Sequence, residues 1–172
     1  MIDEKFQEIM KSNTGCAVIM AGSDSDRPHI EKIVKSLKQY EIPHEVRICS
    51  AHKQPDTLKD MIDEYNGVGG AYAIIAVAGG TDALSGTASF YAFAPVISCP
   101  PDAPNESCLT NPPGSSNSYV ARANNVGKIV AQIYAGANPR FRELLDEQNV
   151  AKINKLEKAD LEFRKEFLFL GE

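Results

Sequence analysis

Apolar positions in this chain alternate between short continuous runs and longer periodic stretches. Cys16-Ala17-Val18-Ile19-Met20 is a continuous apolar run, closed by Gly22 and a Ser/Asp cluster. That is the pattern of a strand buried on both faces. From Arg27 to Gln39, residues Ile30, Ile33, Val34 and Leu37 fall at helical spacing, and Glu41-Ile42-Pro43 ends the pattern. They make one face of a helix. His44 to Cys49 reads as a second strand. Pro55 to Tyr65 reads as a second periodic helix, with Leu58, Met61, Ile62 and Tyr65 on one face. Its Pro55 suits a first turn. Tyr72 to Ala78 is apolar throughout and predicts a third strand covered on both sides. A short helix of small residues follows from Ala83 to Tyr91, then a fourth strand from Pro95 to Cys99.

The ends of the chain add helices. Residues 3–12 predict a short leading helix, and a helix is expected from about Tyr119 to Ala135. A final helix over about 138–168 carries Phe141, Leu144, Leu145, Ile153, Leu156, Phe163 and Phe167 among charges. Those apolar groups can cover their own core or pack on another subunit. Pro100 to Ser118 differs from the rest, with prolines at 100, 101, 104, 112 and 113 and no predicted element. A stretch of that length is either disordered or functional.

Strands alternating with helices predict right-handed crossovers and an α/β, three-layer parallel sheet. We read residues 1–172 as one domain, with a core over about 14–136 and a helical extension over about 138–170.

Composition narrows the partners. The net charge is −5 and the pI about 5.3, so there is no basic face for nucleic acid or an anionic membrane. The opening residues lack the apolar core of a signal peptide, and no apolar run approaches the ~18 residues of a membrane span. The expected location is cytoplasmic. Cys16, Cys49, Cys99 and Cys108 lack C-x-x-C spacing and read as buried small hydrophobes, with a reactive thiol at Cys99 or Cys108 as the alternative. His29, His44 and His52 form no zinc signature, so no metal is expected. His29 and His44 read as structural or exposed.

In an open parallel sheet the loops after the strands converge on one rim. Here they are Ala21-Gly22-Ser23-Asp24-Ser25-Asp26, Ser50-Ala51-His52-Lys53, Ala78-Gly79-Gly80-Thr81-Asp82 and the proline-rich segment. In the first, Gly22 permits close backbone approach, Ser23 and helix amides suit a phosphate, and Asp26 suits a ribose diol. The same Ser and Asp residues are also favoured helix caps. In the second, His52 is the side chain suited to proton transfer near neutral pH, and Lys53 can hold an anion. In the third, Gly79 and Gly80 either make a turn or present N–H groups to a carboxylate. Asp82 is expected to cap the next helix.

These loops, with Val96-Ile97-Ser98-Cys99-Pro100-Pro101, resemble in order and spacing the phosphoribosylaminoimidazole (AIR) carboxylase family, from about residue 16 to 135. The resemblance implies a flavodoxin-like sheet, a homo-octamer with shared active sites, and no cofactor. It also implies a nucleotide substrate, AIR, carboxylated at carbon to CAIR in purine biosynthesis. One branch, class II, uses free carbon dioxide; the other is a mutase acting on the N-carboxy isomer. A third possibility is a nucleotide-binding paralogue without turnover.

Lys53 and Ala83-Leu84-Ser85-Gly86 look like class II, whereas the Gly79-Gly80 pair is more mutase-like. Class II usually has arginine at Gly80 and Ser-Asn at Thr81-Asp82. Carried over position by position, the catalytic proton shuttle is His52. The nucleotide and carboxyl-group pocket comprises Gly22, Ser23, Asp26, Ser50, Ala51, Lys53, Gly79, Gly80, Leu84 and Ser85.

Overall fold

The computed structural model describes residues 1–102 and 104–171. Ala103, inside the proline-rich segment, and Glu172 lie outside them. Among the described residues, five strands form one sheet: β1 (Cys16–Ala21), β2 (His44–Ile48), β3 (Tyr72–Val77), β4 (Val96–Ser98) and β5 (Asn117–Tyr119). Their spatial order is β2-β1-β3-β4-β5 and every pairing is parallel. This is the flavodoxin-like doubly wound order. The helices are α1 (Glu4–Lys11), α2 (Arg27–Lys38), α3 (Pro55–Val68), α4 (Ala83–Tyr91), α5 (Val126–Tyr134) and α6 (Pro139–Glu166).

Strand period two divides the core into two layers. Ala17, Ile19, Ala21, Ile75, Val77 and Ile97 pack toward α2, α5 and the start of α6. Val18, Met20, Tyr72, Ile74 and Val96 face the other way, toward α1, α3 and α4. β1 and β3 are fully buried, which is why they read as unbroken apolar runs. β2 is an edge strand, with Val46 and Ile48 partly exposed.

Local chemistry sets the helix ends. The Asp3 carboxylate accepts the N–H groups of Lys5 and Phe6 at 3.0 and 3.2 Å. Pro28, Pro55 and Pro139 occupy first turns, where a missing N–H costs nothing. The side chain of Asn138 accepts the Arg140 N–H at 3.1 Å and opens α6.

Two expectations need correction. The proline-rich segment is not without regular structure: it contains a 3₁₀ turn at Ser107–Leu109 and leads directly into β5. The helix expected from Tyr119 begins instead at Val126, after a 3₁₀ turn at Ala123–Asn125. Asn117-Ser118-Tyr119 is short and polar, so it carries no strand periodicity. It is a strand because β4 offers it an open edge, and Val120 N–H extends the contact to the Ser98 carbonyl at 2.9 Å.

Candidate active site

The loops after β1, β2 and β3 meet at the C-terminal rim of the sheet, beside the point where the strand order reverses. Gly22 N–H donates to the Val77 carbonyl at 2.9 Å and ties the first loop to the third strand. The Ser23 hydroxyl accepts the Ser25 N–H at 3.2 Å and caps the turn Asp24–Asp26, which feeds α2. In the second loop, the Ser50 carbonyl accepts the N–H groups of Lys53 and Gln54 at 3.2 and 2.8 Å. Ser50-Ala51-His52-Lys53 is therefore a closed turn delivered at the end of β2. In the third, Asp82 Oδ1 accepts the Ser85 N–H at 2.9 Å, so Asp82 caps α4 as expected.

These loops enclose a cleft of about 260 Å³. Gly22, Ser23 and Asp26 line it from the first loop, Ser50, Ala51 and His52 from the second, and Gly79 and Leu84 from the third. Ser25, Ala78, Thr81 and Ala83 also line it; they were not named among the pocket residues, although all four stand inside the quoted motifs. Lys53, Gly80 and Ser85 are not in the lining. Lys53 is exposed on its turn. Ser85 is fully buried, and its hydroxyl has no partner among the described residues. Gly80 has a φ of +66°, and its N–H donates to the Asp102 carboxylate at 2.7 Å.

Asp26 and His52 are the titratable side chains of the lining. Burial pushes the Asp26 carboxyl above its ordinary value; His29 pulls it back, and Asp102 and Asp24 push it further up. His29 lies one turn on in α2, with Nε2 3.0 Å from the Cys99 carbonyl, joining α2 to the end of β4. Burial holds its imidazole below the ordinary value, and pushes the Cys99 thiol up to about 12. Cys99 is fully buried, as expected of a small hydrophobe in the core. His44 Nδ1 sits 2.9 Å from the Ile42 carbonyl, away from the cleft, and has a structural role. Among the described residues no group of His, Cys, Asp and Glu has metal-site geometry.

Small polar groups, glycine backbone and one imidazole around a recess suit a polar metabolite held for proton transfer. The family model for AIR carboxylase matches residues 16–155, most of the chain. The chain belongs to the AIR carboxylase family. Among relatives, a phosphoribosylaminoimidazole carboxylase of Archaeoglobus fulgidus is 34% identical over 86% of this chain and 84% of its own length. An N5-carboxyaminoimidazole ribonucleotide mutase of Aquifex aeolicus is 31% identical over 74% of this chain and 81% of its own. The crystal structure of Treponema denticola PurE superposes with a TM-score of 0.79 at 27% identity, covering 90% of this chain and 99% of that one. The chain spans about a third of the length of a human bifunctional phosphoribosylaminoimidazole carboxylase/succinocarboxamide synthetase, to which it is 36% identical over 80% of its residues. Of the motifs quoted from the sequence, those after β1, β2 and β3 contribute residues to the cleft, and Val96-Ile97-Ser98-Cys99-Pro100-Pro101 does not.

Proposed function

We propose that this member of the AIR carboxylase family is a class II enzyme of purine biosynthesis, joining free carbon dioxide to C4 of AIR to give CAIR. One observation carries the reading: among the described residues His52 is the sole imidazole in the lining of a cleft otherwise built from serine, threonine, glycine and alanine, with Asp26 and Leu84. Class II chemistry asks for one proton shuttle and a dry recess. The aminoimidazole ring is an enamine-like nucleophile, so its C4 attacks the carbon of carbon dioxide directly. The adduct holds a carboxylate and a hydrogen on a tetrahedral C4. Removing that proton restores aromaticity, and His52 accepts it and passes it to solvent. AIR and carbon dioxide thus give CAIR and one proton. Close placement of the two reactants supplies much of the rate.

In this reading Ser23 meets the nucleotide phosphate, Asp26 the ribose diol, and Ser50, Ala51 and Gly22 the body of the nucleotide. Gly79 and Leu84 border the carbon dioxide end. Lys53 and the α4 N-terminus complete the pocket when substrate is bound. The working assembly is a homo-octamer, with a cytoplasmic location.

The test supplies purified protein with AIR and bicarbonate, without ATP, and follows CAIR formation. Product at that stage supports the class II reading; a folded protein giving none refutes it. The mutase reading is favoured by the Gly79-Gly80 pair and the Aquifex relative. It predicts turnover of the N-carboxy isomer alone. Nucleotide-induced thermal stabilisation with neither turnover points to a binding protein.

A further inference from the structure

The third loop is held from outside the cleft. Gly80 makes no side-chain contacts of its own, yet both of its backbone polar groups are engaged by the proline-rich segment. Its N–H donates to Asp102 Oδ2 at 2.7 Å, and its carbonyl accepts Asn105 Nδ2 at 2.9 Å and the Ser107 hydroxyl at 3.1 Å. Asn105 Nδ2 also reaches Asp102 Oδ1 at 2.9 Å, and the Asp82 N–H donates to Ser107 Oγ at 2.9 Å. Asn105 is itself buried, unusual for an amide side chain, and each of its side-chain polar atoms is satisfied, Oδ1 by the Ser107 N–H at 3.1 Å. The same segment touches the neighbouring residue: a Cβ on Gly79 would lie 3.4 Å from the Asp102 carboxyl carbon and from Pro101. Gly79 lines the cleft; Gly80 does not.

We propose that Asp102 is a positioning residue for the carboxyl-donor end of the cleft. With Asn105 and Ser107 it latches Gly80 in its left-handed conformation, and so fixes where Gly79 and Thr81 stand. This rests on the class II reading of the cleft. Carbon dioxide offers little for a protein to grip, so its placement against C4 depends on the shape of the recess. A recess made of glycine backbone holds its shape only if that backbone is tethered. The latch also occupies the Gly80 N–H, which is therefore not available to cradle a carboxylate. Gly80 instead has an indirect role, as the point where the loop is gripped.

Charge supports the tether. The Gly80 N–H, then the Asn105 amide, hold the Asp102 carboxyl below its ordinary value, so the acceptor stays ionised at working pH. Charge-assisted acceptors make the stronger hydrogen bonds.

Asp102→Ala in the full-length protein tests the latch. Asp102 is exposed, so the fold is expected to survive with little change in melting temperature. The KM for carbon dioxide should rise on the order of tenfold while the KM for AIR moves less than about threefold. Asp102→Asn, which keeps an oxygen for Gly80 but sets an NH₂ group against the Asn105 amide, should fall between wild type and alanine. A second measurement needs no turnover: hydrogen exchange of the peptide spanning residues 78–84 should speed up in the alanine variant. Unchanged exchange overturns the latch whatever the enzyme does. Faster exchange with both KM values unchanged overturns the positioning role while leaving the tether. If wild type forms no CAIR from AIR and bicarbonate, the class II reading fails, and exchange alone still decides the tether.

Discussion

His52 and Asp26 share one cleft, and each has a separable consequence. His52→Asn keeps the size of the side chain and removes its capacity to take a proton at C4. The expected result is a fall in kcat of about 10²–10⁴ with the nucleotide Kd nearly unchanged, read by steady-state kinetics and calorimetry. Acid should act on the cleft in two stages. Asp26 has a raised folded value, so it takes up its proton above the ordinary carboxylate value of 3.8. Asp102 has a lowered one, so whatever the latch contributes is complete above 3.8 and is lost only as pH falls through the lower folded value. Nucleotide affinity should therefore weaken with acid before exchange at residues 78–84, corrected for intrinsic rate, begins to rise. Exchange rising first would reverse the assignment of the two carboxylates. At this scale the catalytic candidates were legible, because glycine, serine, aspartate and histidine stand in motifs at strand ends. The latch was not, since Asp102 and Gly80 are far apart in sequence and joined only by the fold.

Between helices, α2 and α5 approach closely. Gly127 sits on the Ser36 carbonyl, where a Cβ would overlap backbone. The Ser36 hydroxyl accepts the Gly127 N–H at 2.9 Å and donates to the Asn124 carbonyl at 2.8 Å. Gly127→Ala should push the helices apart and cost about 1–3 kcal/mol in urea unfolding. Gly67, in the last turn of α3, meets nothing within 4 Å. Gly67→Ala should leave the protein unharmed or gain up to about 0.5 kcal/mol from helix propensity. Equal effects at the two sites would show that the α2–α5 contact is looser than described. Periodicity located α2 and α3 well, because each buries one regular face, and α4 was placed by its run of small residues between β3 and β4. It missed β5 and placed the start of α5 too early, because a polar edge strand and a 3₁₀ lead-in carry no apolar period.

Over the whole molecule, α6 stands apart. Its first turns are anchored by buried Phe141 and Leu144, and Arg140 pairs with Glu41, Glu143 and Glu147. Beyond them Val150, Ile153, Leu156 and Phe163 are exposed, followed by Phe167, Leu168, Phe169 and Leu170. At 28 residues the helix is about 42 Å long, and most of that length has no intrachain partner among the described residues. Apolar surface on this scale marks an interface. The expected state in solution is a homo-oligomer, and Leu156→Glu with Phe163→Glu should lower its mass in sedimentation while circular dichroism stays native. An unchanged mass would place the interface elsewhere; exposed Phe90 and Phe93, at the end of α4 and just beyond it, would be the following place to look.

Sequence by itself determined the alternation of strands and helices, the buried character of β1 and β3, and the loop residues that carry chemistry. These are local properties: periodicity, caps and motif spacing act within about a dozen residues. Tertiary structure decided which loop residues share a cleft, leaving Lys53 exposed and Ser85 buried, both outside its lining. It also decided that the proline-rich segment serves the β3–α4 loop instead of merely crossing to β5. Those outcomes depend on side-chain and backbone contacts between distant segments, which leave no local signal in the chain.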